Sequence, residues 1–217
     1  MAGHFITLEG LDGCGKTTQL HLIEQWLSER GDRFVSTCEP GGTSFGQNIR
    51  RVLLDSRNVG MVPLAELLLF AADRAQHVEE FIRPKLAEGV IVISDRYTDA
   101  TLAFQGYGRG FDIEFCRQLN HMATGGWVPD LTLLFDIDVE LALHRINERK
   151  KATSETGQAV QDESRLDNER IEFHRKVREG YLKIAAAEPK RFRIIHSGND
   201  IETTWRETRS VMEQFFG

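Results

Sequence analysis

No apolar run in the 217-residue sequence approaches the ~18 residues a membrane-spanning helix needs. The longest candidate, Met61 to Ala72, is broken by Pro63 and Glu66. The chain enters its first apolar segment directly, so no signal peptide is expected. Cysteine is scarce. Cys14, Cys38 and Cys116 make an odd count with no C-x-x-C pair, which argues against a disulfide framework and a zinc site. A reducing, cytoplasmic setting is expected. Positive charge is also in short supply: 27 Lys and Arg against 33 Asp and Glu leave a formal net charge of −6. An acidic surface repels nucleic acid, so neither nucleic acid nor membrane is an expected partner, and an anionic ligand must be held by local arginines. No internal repeat is present. The length and the 41 % hydrophobic content suit one soluble domain, 1–217.

What is present is an alternation of short apolar runs with helical patterns. That implies an α/β fold, a parallel sheet with helices on both faces. Five runs read as strands: Phe5–Glu9, Arg33–Thr37, Val90–Ser94, Leu131–Asp136 and Arg191–His196. The third and fourth are continuous rather than alternating, as strands covered on both faces should be. Helices are expected near 17–29, 43–55, 63–82, 112–123, 138–149, 167–187 and 200–216. Phe173, Val177, Tyr181 and Ile184 recur at helical spacing and mark one buried stripe; Ile201, Trp205, Met212 and Phe215 mark another.

Between the first strand and the first helix lies Gly10-Leu11-Asp12-Gly13-Cys14-Gly15-Lys16-Thr17, which fits G-x-x-x-x-G-K-[ST] without a mismatch. In that context backbone N–H groups converge on phosphate oxygens, aided by the positive end of the helix dipole. Lys16 adds a point charge toward the β/γ-phosphates, and the Thr17 hydroxyl is placed to ligate Mg²⁺. A glycine-rich turn before an ordinary helix is the alternative, and the flanks oppose it. Gly10 to Thr18 is therefore expected to bind a nucleoside triphosphate.

Asp95-Arg96-Tyr97 follows directly on the third strand, where open α/β sheets bind ligands. A carboxylate for Mg²⁺ then stands beside a guanidinium that grips phosphate bidentately. A structural ion pair is the alternative, and three further segments oppose it. Glu39-Pro40-Gly41-Gly42-Thr43 opens a helix carrying Arg50; Phe70 and Arg74 share one helix face; Thr101, Phe104 and Gln105 follow at helical spacing. From Lys150 to Ser164 the chain is polar, aperiodic and rich in Ser, Thr and Gln. A loop of this length is either functional or a tolerated insertion. Its place between Arg145, Arg149 and Arg165 favours a mobile lid over the triphosphate, about 148–168.

Taken together, Leu8–Thr18, Glu39–Thr43, Leu69–Arg74, Ser94–Tyr97 with Asp99, Ala103–Gly106, Pro129–Asp130 and Arg165–Asp167 resemble the thymidylate kinase (dTMP kinase) family of the bacterial type, among the P-loop nucleoside monophosphate kinases. The resemblance spans nearly the whole chain. It implies a P-loop NTPase-type three-layer fold with a five-stranded parallel sheet, ATP and dTMP as substrates, Mg²⁺ held by Thr17 and Asp95, and a homodimer. It also implies residue roles. Phe70 stacks on thymine, and Arg74 donates to a base carbonyl. Thr101, Gln105 and Tyr97 lie near the acceptor, with Glu39 and Pro40. Phe104 lies against the deoxyribose C2′, and Asp12 accepts from the 3′-hydroxyl. Arg50 and Arg96 hold the dTMP phosphate, and Lys16, Asp95, Arg96, Arg149 and Arg165 serve catalysis.

Two positions depart from the family pattern. Gly13 stands where some members have an arginine, which leaves Arg149 and Arg165 as the best lid cations, ahead of Lys150 and Lys151. Cys38 stands where bacterial relatives commonly have arginine. The competing functions are a deoxynucleoside kinase, which needs no arginines for an acceptor phosphate, and a nucleotide-dependent switch or binding module. A guanine-reading Asn-Lys-x-Asp is absent, as are the His-Arg-Asp and Asp-Phe-Gly of protein kinases.

Overall fold

The computed structural model describes residues 3–58, 60–155 and 165–217. Strands β1 (Phe5–Gly10), β2 (Phe34–Cys38), β3 (Ile91–Asp95), β4 (Leu131–Asp136) and β5 (Phe192–His196) pair in the order β2-β3-β1-β4-β5, all parallel. Helices α1 (Lys16–Arg30), α2 (Ser44–Leu54), α3 (Pro63–His77), α4 (Arg83–Ala87), α5 (Thr98–Thr101), α6 (Ile113–Thr124), α7 (Val139–Glu155), α8 (Ile171–Ala187) and α9 (Ile201–Phe216) connect them. A π-helical turn, Val78–Ile82, joins α3 to α4, and another, Leu102–Gly108, extends α5.

β1 is buried along its whole length between β3 and β4, so the strand leading into the glycine-rich loop is the centre of the sheet. Side chains alternate between two cores. Ile6, Leu8, Ile91 and Ile93 enter the larger one, while Phe5 and Val92 join Val78, Ile82, Leu86 and Tyr97 in the smaller. Side-chain caps set several helix starts: Thr43, Asp112 and Asp200 accept from Gly46, Phe115 and Thr203 backbone N–H groups at 2.9, 2.7 and 2.8 Å. The register sets Leu8 beside Asp95 and Gly10 beside Phe135, which brings the carboxyl ends of β1, β3 and β4 to one level.

The strands agree with the sequence pattern to within a residue at each end. α8 begins at Ile171 instead of 167, after a turn over 165–168, and the helices differ in three further places, each for a physical reason. The α3 segment continues to Ala87, because Pro84 falls in the first turn of α4, where its missing N–H costs nothing. α7 runs to Glu155 instead of 149; the added turns are polar, so no apolar stripe marks them. The segment 98–108, absent from the expected helices although Thr101, Phe104 and Gln105 fall at helical spacing, is helical through its glycines. A Cβ at Gly106 would stand 2.6 Å from Ile113, and one at Gly108 2.7 Å from Phe173, so glycine there admits close packing. The centre of the expected lid, 156–164, lies outside the described residues. Among the described residues no helix is long and apolar enough to cross a membrane.

Candidate active site

Gly15 caps α1 with φ 92° and offers no side chain, leaving the first-turn N–H groups to the loop's concavity. Lys16 Nζ folds back onto the carbonyls of Gly10 (3.3 Å) and Leu11 (3.2 Å) and lies 4.0 Å from Asp95 Oδ1. Thr17 and Thr18 are exposed on the first turn, while Cys14 is buried beneath the loop. Gly13 has no room for a side chain: a Cβ would meet the Ala142 carbonyl of α7 at 2.4 Å, with φ at +79°. The position where some relatives carry arginine is closed here by α7.

Arg96 adopts φ 72°, an uncommon conformation for a residue with a Cβ. Its guanidinium donates to Asp12 Oδ1 (2.9 Å), the Gly10 carbonyl (2.9 Å) and the Tyr181 hydroxyl (3.1 Å), above the Phe104 ring. Burial opposes ionisation of Asp12, but the charges of Arg96 and Lys16 outweigh it and hold the carboxyl well below the usual range. Glu9, fully buried, accepts from Tyr97 N–H (2.8 Å) and Tyr181 Oη (2.7 Å). Burial and then the charge of Asp99 push it up to about 7, with Arg96 pulling the other way. Tyr97, which follows Arg96, is fully buried. Its ring packs on Phe5 in the smaller core, 4.9 Å between centroids, and its hydroxyl donates to the Trp127 carbonyl. β3 ends at Asp95 and the chain turns at Arg96 with φ 72°; from there the Arg96 side chain runs to the loop and the Tyr97 ring enters the smaller core.

Arg74 is almost wholly committed to the protein. It donates to Glu39 (2.8 Å), Thr101 (2.7 Å), Asn120 (2.8 Å) and the Tyr97 carbonyl (2.8 Å). Four of a guanidinium's five N–H groups are used. Glu39 also holds His77, whose far nitrogen meets Thr37 Oγ1 at 2.7 Å. The Arg50 guanidinium donates to the Pro40 carbonyl at 2.8 Å, and the Cys38 thiol points at the same oxygen. Burial pushes that thiol up, opposed by the charge of Arg50. Phe70 is half-buried on α3. Gln105 donates to Glu66, and the Phe104 ring is edged by Phe173 and Tyr181.

Arg149 and Arg165, on either side of residues 156–164, are placed differently. Arg149 is exposed on α7 and lies 4.0 Å from Asp167; its charge acts on Asp12 of the phosphate loop. Arg165 lies in a different setting. Its side chain is 9 % exposed, 2.7 Å from Glu66 Oε2, and donates to the Leu53 carbonyl. Glu66 is buried and needs compensation, which it takes from Arg109, Gln105 and Arg165. In this structure Arg165 is an anchor. The pattern reading of the sequence missed Glu9, Glu66, Asp73, His77 and the Tyr181 hydroxyl. Their signal was a carboxylate or imidazole inside a strand or helix that is otherwise apolar.

A phosphate loop at the end of the central strand, with an Asp-Arg pair from the neighbouring strand set against it, defines a P-loop phosphotransferase. The chain belongs to the thymidylate kinase family, whose model matches residues 8–207, and so to the nucleoside monophosphate kinases. Thymidylate kinase of Geotalea daltonii is 50 % identical over 202 residues, 93 % of this chain and 92 % of the relative. That of Desulfovibrio desulfuricans is 47 % identical over 211 residues, 97 % and 95 % of the two chains. The crystal structure of thymidylate kinase from Ehrlichia chaffeensis matches with a TM-score of 0.77 at 34 % identity, covering 98 % of this chain and 99 % of that one.

Asp73 gives the site a pH signature. Burial and then the charge of Glu39 push it up to about 6, against the Gly41 N–H it accepts at 3.0 Å. The folded value lies above the ordinary 3.8, so the fold favours the proton and stability falls as pH rises from about 4 through about 6. Across that interval the loss is on the order of 3 kcal/mol. Asp73→Asn keeps an acceptor for Gly41 and removes the ionisation. Its Tm advantage over wild type should therefore grow between pH 4 and pH 8. A difference that does not change with pH would refute the assignment.

Proposed function

We propose that the chain transfers the γ-phosphoryl group of ATP to dTMP, with ATP on Gly10–Thr18 and dTMP between β3 and α3. The observation that carries this reading is the Arg96 guanidinium, fixed 2.9 Å from Asp12 of the phosphate loop. An arginine there sits where an acceptor phosphate must meet the donor. Phosphoryl transfer needs alignment and neutralised charge more than covalent chemistry, and Lys16, Arg50 and Arg96 supply both. Phe70 offers a face for the base and Arg74 its remaining N–H. Phe104 stands at C2′, where a ribose hydroxyl would be buried without an acceptor. Mg²⁺ fits the donor set. Asp95 Oδ1 is buried and accepts no hydrogen bond among the described residues. One carboxylate, the Thr17 hydroxyl and the nucleotide's own phosphates suit this ion. Bound there it would neutralise charge on the phosphates.

The acceptor is tested by ATP consumption with dTMP, dUMP, UMP, CMP and thymidine. dTMP should give the highest kcat/KM. Lys16→Ala should fold and lose more than about tenfold in turnover, at least ~1.4 kcal/mol of transition-state binding. A best rate with thymidine would mean a nucleoside kinase instead.

A lid over about 148–168 is part of the same reading, with Arg149 as its cation. Arg149→Ala should lower kcat on the order of 10³-fold with Tm near wild type. Arg165→Ala should act mainly on Tm, because it leaves Glu66 short of a buried partner. The reverse pattern would exchange the two roles.

The chain is further proposed to act as a homodimer in the cytoplasm. Phe45 and Val52 on α2, Leu64 and Leu68 on α3, and Phe115 and Met122 on α6 are exposed. α3 packs against both of the other helices, so these side chains lie on neighbouring elements. An apolar face of that kind is suited to a second copy. The three free cysteines suit a reducing compartment. Sedimentation should give twice the 24.7 kDa chain mass, and a monomer at micromolar concentration would remove the dimer.

A further inference from the structure

Arg96 combines two features that each need support. Its backbone sits at φ 72°, and its side chain is stretched over the Phe104 ring toward the phosphate loop. The backbone is held by three hydrogen bonds. Arg96 N–H donates to the Leu8 carbonyl (3.0 Å), Ser94 Oγ donates to the Arg96 carbonyl (2.7 Å), and the next N–H, of Tyr97, donates to Glu9 Oε1 (2.8 Å). The side chain is held from the same residue. Glu9 Oε2 takes the Tyr181 hydroxyl proton at 2.7 Å, which leaves that oxygen's lone pair to accept Arg96 Nη1–H at 3.1 Å. A hydroxyl that donates to a carboxylate is a better acceptor for its next partner.

We propose that Glu9, acting through Tyr181, is the positioning residue for Arg96. One buried carboxylate fixes the backbone of the arginine with one oxygen and, through the tyrosine hydroxyl, its guanidinium with the other. Neither Glu9 nor Tyr181 needs to touch a nucleotide. Their effect is to keep the Arg96 fork pre-set for the acceptor phosphate, so that binding does not have to order it. The inference rests on the reading that Arg96 holds the dTMP phosphate.

Tyr181 is the cleaner place to test it. Tyr181→Phe keeps the ring in its buried stripe against Phe104 and removes only the hydroxyl. The readout is the ratio of dTMP to thymidine affinity by titration calorimetry, with Arg96→Ala as reference and thermal melts on every variant. The ratio isolates the phosphate, which a general loosening of the site would not. Arg96→Ala should lose dTMP affinity and leave thymidine binding unchanged. Tyr181→Phe should show the same selective loss, about tenfold, as expected for one hydrogen bond to a charged group. The KM for dTMP should rise with that for ATP unchanged. Glu9→Gln keeps one accepting oxygen of two and should show a loss of the same kind, which provides a second variant should Tyr181→Phe unfold. If Arg96→Ala loses the phosphate preference while folded Tyr181→Phe and Glu9→Gln keep it, the positioning role is wrong and the acceptor reading stands. Equal weakening of dTMP and thymidine in Tyr181→Phe would also overturn it. If Arg96→Ala keeps the preference, the acceptor-phosphate reading fails and the proposal with it.

Discussion

The site depends on the grip between residues 8–12 and residues 94–97. β1 and β3 are neighbours, with Leu8 in register with Asp95, so the two chains leave the sheet side by side. The Leu8 carbonyl then takes Arg96 N–H, the Glu9 carboxylate takes Tyr97 N–H, and the Gly10 carbonyl and Asp12 take the Arg96 guanidinium. The glycine-rich loop and Arg96 are thereby built as one piece, and no loop of independent conformation lies between them. Placement at this precision is what phosphoryl transfer asks of a protein, since the geometry of two phosphates is most of the problem.

That arrangement requires charges inside the protein, and their pairing explains much of the rest. Glu39 is compensated by Arg74 and His77, Glu66 by Arg109 and Arg165, Asp99 by Arg191 at 2.7 Å. A buried pair is weak evidence of stability, because desolvation offsets most of the attraction, yet losing one partner costs about 3–5 kcal/mol. Such pairs hold elements in one arrangement. Arg74 ties α3 to the end of β2, to the chain after β3 and to α6. Glu66 ties α3 to the π-helical turn through Gln105 and to the return of the lid through Arg165.

The strands and the phosphate loop were legible in the sequence because both are written in local patterns: buried runs of five or six residues, and glycines at fixed spacing. The carboxylates were less legible. Glu66 looked like an interruption in an apolar stretch, and Tyr181 like one more member of a buried stripe. Each reading was right about burial and silent about polarity, because periodicity reports which face is covered and not which atoms are satisfied. Arg74 and Arg96 look alike in the sequence, an arginine following an aspartate in each case. Only the count of partners separates the one closed in on the protein from the one aimed at the loop. That the Tyr97 ring enters the smaller core is likewise not written in its adjacency to Arg96.

The absence of an arginine at Gly13 and the presence of one at Arg149 are connected through α7. A side chain at Gly13 would strike the Ala142 carbonyl at 2.4 Å and the Ile146 side chain at 3.2 Å, so this face of the helix lies directly on the phosphate loop. Ala142, Ile146 and Arg149 are spaced four and three residues apart, which keeps them on one face. The contact that shuts out an arginine from the loop therefore carries another along the same helix face, one turn beyond the contact. Its charge acts on Asp12, while the burial of Asp167 and the nearness of Asp12 push that second carboxyl up. The steric closure at Gly13 and the placement of Arg149 are thus one packing arrangement, in which the α7 face that lies on the loop also carries the arginine.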